Sequence, residues 1–364
     1  MRTRATLGAF ALAFTPGFNV ANVGAVADQV AHAYGIGLAV VGLFTTGLFV
    51  THAALQVPMG RLCDRFGARV VGGSGLLIVA CASAAALSWK EAWFAIGMRM
   101  VAGVGTAASF VAGVEYTRAT IGSAVAQGMY GAVTMAAGGL ALGLVPLWGN
   151  WRAPFVTAAI AAAAGVVLLA LAQPEPERPP VKRRLPTVVD RRLLPLAAMH
   201  AASFGVSVVI GNWVVTLLHR AGGISEQLAG LAGALVLFLG VISRPLGGRL
   251  MDRPGVVRAS FVVSGLGIAL LSVAKPLPLA ITAAAIVGIA AGIPFAPAFA
   301  GAQRLRPDAP AAAVGLVNMG AAVTILVGTP LLGLSFSLPG DGRIGFLIVA
   351  ALCCATAAVR PSRV

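Results

Sequence analysis

Apolar stretches recur with little interruption from Leu7 to Val359, each bounded by polar residues or by glycine and proline. A helix needs about 20 such residues to cross a ~30 Å hydrocarbon core, and the stretches reach that length repeatedly. One set runs near 7 to 26, 37 to 59, 70 to 88, 93 to 114, 124 to 147 and 154 to 171. A second set runs near 194 to 218, 228 to 248, 256 to 274, 279 to 300, 311 to 334 and 344 to 359. The pattern predicts an all-α integral membrane protein with twelve transmembrane helices. Between the sets, Pro174, Pro176, Pro179, Pro180 and Pro186 alternate with Arg178, Lys182, Arg183, Arg184, Arg191 and Arg192, the composition of an extended linker. The expected organisation is an N-terminal six-helix half (1–172), a cytoplasmic linker rich in proline and arginine (173–193) and a C-terminal six-helix half (194–364).

Composition sharpens this. Of the 364 residues, 59% are hydrophobic and 10% charged, with mean hydropathy +0.92, whereas soluble domains carry about a quarter charged residues. The formal charge of +15 would in a soluble protein suggest nucleic acid. Here about 19 of the 26 Lys and Arg fall in alternate loops on one side, with about 5 opposite and 2 inside helices, a bias that predicts both termini in the cytoplasm. No nucleic-acid partner is expected. The basic start followed by an apolar run has the form of a signal peptide, but Asn19 and Asn22 interrupt it and further spans follow, so it is read as the first helix. Cys63, Cys81, Cys353 and Cys354 lack paired zinc spacing and predict neither disulfide nor metal.

The halves resemble one another. Gly60-Arg-Leu-Cys-Asp64-Arg65 closes the second helix, and Gly248-Arg-Leu-Met-Asp252-Arg253 closes the eighth, 188 residues later. Gly128-Met-Tyr-Gly131 opens the fifth helix and Gly315-Leu-Val-Asn318-Met-Gly320 the eleventh, 187 residues later. Two matches whose offsets differ by a single residue argue for an internal repeat. Repeated helical halves suggest a binding site near the bilayer midplane, reached by rocking one half against the other.

The segment Gly60-Arg-Leu-Cys-Asp64-Arg65-Phe-Gly67-Ala-Arg69 resembles the signature of the major facilitator superfamily. Arg99 with Gly103 and Gly105, and Trp151-Arg152-Ala-Pro-Phe155, are similar to that family's fourth-helix and sixth-helix patterns. The resemblance covers the whole chain and implies a secondary transporter. In physical terms, a carboxylate at the inner membrane edge is stabilised by the N–H groups and dipole of a neighbouring helix, and Arg65 and Arg69 can pair with it or with Glu115. Gly60, Asp64, Arg65, Arg69, Glu115, Asp252 and Arg253 are thus expected to form a cytoplasmic gate, or, more simply, to anchor helix ends at the interface. The fifth helix carries Gly131-Ala-Val-Thr-Met-Ala-Ala-Gly-Gly139 without proline, unlike the drug and proton antiporter branch. Glycines such as Gly103, Gly139 and Gly143 read as close-approach positions between helices.

A charged side chain at mid-membrane costs ~2.5–3.5 kcal/mol on insertion scales, which singles out Arg99 and Arg244. Arg244-Pro-Leu-Gly-Gly248 is similar to the eighth helix of nitrate and nitrite porters, and Asn318-Met-Gly320 to half of their eleventh-helix signature. That resemblance is partial, and one cation at Arg244 can hold a monovalent carboxylate or a cyanate-like ion rather than nitrate. Where those porters place a second arginine, this sequence has Gln56. His52, one helical turn from Gln56, is a candidate for proton coupling, as is Arg99 by family resemblance. Each has a structural alternative: an imidazole bonded to a neighbouring helix, or a guanidinium bonding free carbonyls. Asn19, Asn22, His52, Gln56, Ser207, Arg244 and Asn318 are the candidate substrate-binding residues, with His200 and Ser203 nearby and interhelical bonding as the alternative for each.

Gly340-Asp-Gly342-Arg-Ile-Gly345 has the dinucleotide spacing but follows no strand and is discarded. No Walker loop, His-Glu-x-x-His or Gly-x-Ser-x-Gly motif is present, so ATP-driven transport and motif-defined hydrolysis lack support. The expectation is therefore a proton-coupled secondary transporter, not an enzyme, working by alternating access on a small polar or anionic solute in the cell membrane. It is expected to be monomeric and to need no cofactor. The alternatives are a multidrug or metabolite efflux transporter, or a membrane sensor that keeps the fold without translocating its ligand.

Overall fold

The computed structural model describes residues 2–23, 26–176, 190–273 and 275–359. The regular secondary structure among those residues is helical, with no β-strand. In chain order the helices are α1 (Arg2–Ala21), α2 (Ala27–Tyr34), α3 (Leu38–Ala54), α4 (Gln56–Phe66), α5 (Ala68–Ala85), α6 (Ala92–Thr120), α7 (Ala124–Leu144) and α8 (Ala153–Leu171). They continue with α9 (Leu194–His200), α10 (Val206–Arg220), α11 (Glu226–Phe238), α12 (Gly240–Arg249), α13 (Pro254–Val273), α14 (Leu277–Gly292), α15 (Phe295–Leu305), α16 (Pro310–Leu334) and α17 (Arg343–Thr356). Most of the predicted linker, 177–189, lies outside the described residues.

By length and composition seven spans among the described residues can cross a membrane, and up to eight if the bent pair α3–α4 counts as one. The protein is therefore a multi-pass membrane protein. The predicted second span, 37 to 59, is two helices meeting at 51° around Leu55. Pro58 explains the break: it has no N–H to give, and its ring clashes with the carbonyl four residues back, Ala54, where α3 ends. Pro297 stands four residues after Ile293, which caps α14 just past its last residue, Gly292.

The chain divides into two units. One comprises Met1–Ala126, Val133–Val188 and Arg306–Leu316, the other Gln127–Ala132, Val189–Leu305 and Val317–Val364. In the first, α6 packs along α5 and α3, and α1 along α6 and α8. Its aromatic centre joins Phe44 to Phe155 (6.3 Å between ring centroids), and Tyr34 to Phe44 (5.8 Å) and Trp151 (5.1 Å). Helix α7 starts at a serine cap, Ser123 Oγ accepting the Ala126 N–H at 3.1 Å, which satisfies a donor that the first turn would otherwise leave open. In the second unit α13 packs along α17 and α14, α11 along α10 and α14, and α12 along α14 and α15.

Candidate functional site

At the signature segment, the carboxylate of Asp64 accepts the N–H groups of Ala311 and Ala312, each at 3.0 Å. Both amides lie in the first turn of α16, where backbone donors have no partner within the helix and the helix dipole favours a negative charge. Gly60, one turn earlier on α4, makes the approach possible: a Cβ there would run into the backbone of Ala311 and Ala312. Glu115, fully buried, takes a bidentate pair from Arg118 at 2.8 and 2.6 Å. Arg69 turns to Glu175, a residue the sequence reading did not single out. Glu175 accepts the N–H groups of Ala68 (3.2 Å) and Arg69 (2.7 Å), capping α5, while the Arg69 guanidinium donates to the Ala170 carbonyl at 2.7 Å. Arg65 is exposed and lies over the Phe66 ring, and Asp252 and Arg253 are also exposed. Beside the start of α16, Arg306 donates to Asp308 at 2.8 and 2.7 Å, and that hydrogen bond holds the Asp308 carboxyl below its ordinary pKa.

The two intramembrane arginines differ in how their donors are used. Arg99 spends three of its five N–H donors, one from each nitrogen: Nε donates to the Phe44 carbonyl (3.3 Å), one terminal nitrogen to Asn19 Oδ1 (2.8 Å) and the other to the Asn19 carbonyl (2.7 Å). Asn19 in turn donates to the Thr15 carbonyl. This set ties α6 to α1 and α3 with neutral acceptors. Asn22 donates to the Pro154 carbonyl at 3.0 Å, and its own Oδ1 is buried without a partner.

His52 lies 3.0 Å from Thr106 Oγ1. Thr106 spends its single hydroxyl hydrogen on the Gly103 carbonyl, so its oxygen accepts and His52 carries hydrogen on Nδ1. Nε2 is left as an acceptor, and the imidazole ring lies edge-on to Phe49 and Phe110. Across the bend at Leu55, Gln56 donates to the His52 carbonyl at 3.0 Å, and its Oε1 is buried without a partner.

Arg244 is 2% exposed and makes one hydrogen bond, to the Gly131 carbonyl at 2.7 Å. A guanidinium has five N–H donors, so four are uncommitted, including a fully buried Nε. Its charge lies over two phenyl faces, 4.2 Å from the Phe295 centroid and 5.2 Å from that of Phe204. Such cation–π contacts offset about 0.5–2 kcal/mol of desolvation, well short of what a buried cation loses. His200 shares the same rings, at 5.7 Å from Phe204 and 5.3 Å from Phe295, with Phe299 at 4.5 Å. Its Nε2 is 3.1 Å from Asn318 Oδ1 and its Nδ1 is buried without a partner. A π-helical turn, Ala201–Gly205, follows His200 directly and contains Phe204; such turns are frequent at functional sites. Ser207 donates to the Ser203 carbonyl within its own helix at 2.6 Å.

The structure thus brings Arg244, His200 and Asn318 into one cluster and leaves Ser207 bonded within its own helix. The phenyl walls were not anticipated, although the four-residue spacing of Phe295 and Phe299 puts both on one helix face. Among the described residues no group of three or more His, Cys, Asp or Glu is placed to hold a metal ion.

Two glycines from the segments compared above stand against backbone carbonyls. A Cβ on Gly128 would strike the Arg244 carbonyl, and a Cβ on Gly315 would strike the carbonyl of Gln56, the residue 188 positions before Arg244.

No curated protein sequence matches the chain. Among solved structures, the human organic anion transporter MFSD10 (TETRAN) superposes with TM-score 0.72 at 16% identity, covering 98% of each chain. The E. coli fucose:proton symporter FucP superposes with TM-score 0.77 at 12% identity, covering 100% of this chain and 99% of the symporter. At these identities the likeness establishes the fold. A family model described as Major Facilitator Superfamily matches residues 9–329, and with the helical fold and the Asp64 signature this makes the chain a member of that superfamily of transporters.

Proposed function

We propose that the protein is a secondary transporter that carries a small anionic solute by alternating access, with Arg244 as the residue that holds the anion. The observation that carries this is a guanidinium 2% exposed with four N–H donors uncommitted among the described residues. A cation retained in the membrane at that cost calls for a ligand of opposite charge. Arg99 supplies the contrast, because each of its three nitrogens already donates to Asn19 or Phe44, whereas Arg244 has one hydrogen bond, and its role is to tie helices together. The similarity to an organic anion transporter agrees with the sign of the solute.

In this reading twelve spans form two six-helix halves in the cell membrane, with both termini and the 173–193 linker in the cytoplasm. The gate is the Asp64 contact with the start of α16, which Gly60 permits. Transport is coupled to protons, and His52, whose Nε2 is an acceptor, is a better proton carrier than Arg99, whose three nitrogens all donate to neighbouring helices. The working unit is a monomer.

Uptake by purified protein in proteoliposomes tests this, with labelled small carboxylates, nitrite, cyanate and neutral polar solutes, with and without an imposed pH gradient. Gradient-dependent anion uptake that Arg244→Gln abolishes is expected. Neutral solutes moving equally well in both proteins would overturn the anion reading.

A further inference from the structure

Building on the reading of Arg244 as an anion site, we propose that the solute is a small carboxylate carrying its own hydroxyl, with His200 Nδ1 as the acceptor that selects it. Asn318 Oδ1 can only accept, so the hydrogen of the neutral imidazole sits on Nε2 and Nδ1 presents a lone pair. That Nδ1 is buried, has no partner, and belongs to a side chain with no solvent exposure. His200 and Arg244 pack on the same two rings, Phe204 and Phe295, so one small molecule can meet both.

The unmet groups define the ligand by complement. Arg244 offers donors and positive charge, which a carboxylate accepts in a two-point fork. His200 offers an acceptor, which needs a donor on the same molecule. An ammonium would bring a second positive charge beside the guanidinium, so the donor is a hydroxyl. Phe204, Phe295 and Phe299 form apolar walls that suit an organic body over a strongly hydrated inorganic oxyanion.

A site built to bond a hydroxyl rejects the analogue lacking it, because its own buried polar atom is then left unpaired. The test is equilibrium binding to the full-length purified protein with lactate, propionate and lactamide as probes. Lactate is expected to bind at least about tenfold tighter than propionate, and lactamide not measurably. His200→Phe, which keeps an aromatic ring against Phe204 and Phe299, should remove the difference in binding between lactate and propionate. Asn318→Asp provides a second variant of nearly the same shape. Its carboxylate favours the imidazolium, turns Nδ1 into a donor, and should also erase the preference for lactate.

Equal binding of lactate and propionate, both lost in Arg244→Gln, would overturn the hydroxyl selection and leave the anion reading intact. Lactamide binding as well as lactate, unaffected by Arg244→Gln, would overturn both. Binding of none of the three would overturn the inference, while the uptake assay judges the anion reading independently.

Discussion

The carboxylate of Asp64 accepts the backbone N–H of Ala311 at 3.0 Å, closing a contact across 247 residues of chain. The second oxygen takes Ala312, so one side chain satisfies two of the donors at the start of α16. Asp64→Ala should cost about 2–4 kcal/mol, since two charge-assisted bonds and a dipole contact go together. Asp64→Asn keeps one acceptor and should cost roughly half of that. Asp252, at the equivalent repeat position, is exposed, and Asp252→Asn should stay within about 0.5 kcal/mol of wild type. Thermal unfolding of the purified variants checks the order; equal Tm values for Asp64→Ala and Asp252→Asn would refute the capping role.

The two buried arginines should respond oppositely to removal. Arg99→Gln strands Asn19 Oδ1 and the carbonyls of Asn19 and Phe44, and should cost about 3–5 kcal/mol. Arg244→Gln removes a buried cation that has one hydrogen bond, so the lost cation–π contacts are offset by relief of desolvation. Its stability should lie within about 1 kcal/mol of wild type even though uptake is lost, the pattern expected of a residue kept for function. Denaturation curves of the two variants decide this, and an Arg244→Gln as unstable as Arg99→Gln would make Arg244 a structural residue.

Sequence alone singles out Arg99 and Arg244 on the same ground, a charge inside an apolar run. What separates them is the count of acceptors brought from other helices, and that depends on tertiary packing. Membrane class was legible because charge is so sparse, and the signature glycine and aspartate were legible because they are consecutive in the chain. The bend at Leu55 has a local cause in Pro58, but the apolar run continues through it, so the hydrophobic pattern alone predicts one span. Glu175 gave no signal, since a cap supplied by a residue 107 positions from Ala68 has no local pattern. Phe204 and Phe295 were equally silent, because phenylalanine in a membrane helix is unremarkable until a guanidinium lies over it.

The repeated glycine contacts predict a pair of matched effects. Alanine at Gly128 or Gly315 must push against a backbone carbonyl, of Arg244 or Gln56, which cannot rotate away. Each substitution should cost about 1–3 kcal/mol by overpacking. Gly42 in α3 has nothing within 4 Å of where its Cβ would stand, and Gly42→Ala should be neutral or stabilise by up to about 1 kcal/mol through helix propensity. Expression level and Tm of the three variants check this, and a Gly315→Ala protein as stable as Gly42→Ala would show that the backbones yield.

Remote capping is used twice, by Asp64 on α16 and by Glu175 on α5, and the two caps can be told apart. Glu175→Ala removes the acceptor for Ala68 and Arg69, and helix caps of this kind contribute about 1 kcal/mol. The loss is local because the first turn of α5 can open while its middle stays packed on α6. Hydrogen exchange should therefore quicken at the Ala68 and Arg69 amides in Glu175→Ala and remain unchanged at Ala311 and Ala312. Asp64→Ala should give the converse. If Glu175→Ala also released Ala311 and Ala312, the two caps would open as one cooperative unit, and replacing Asp64 would be expected to free the start of α5 as well.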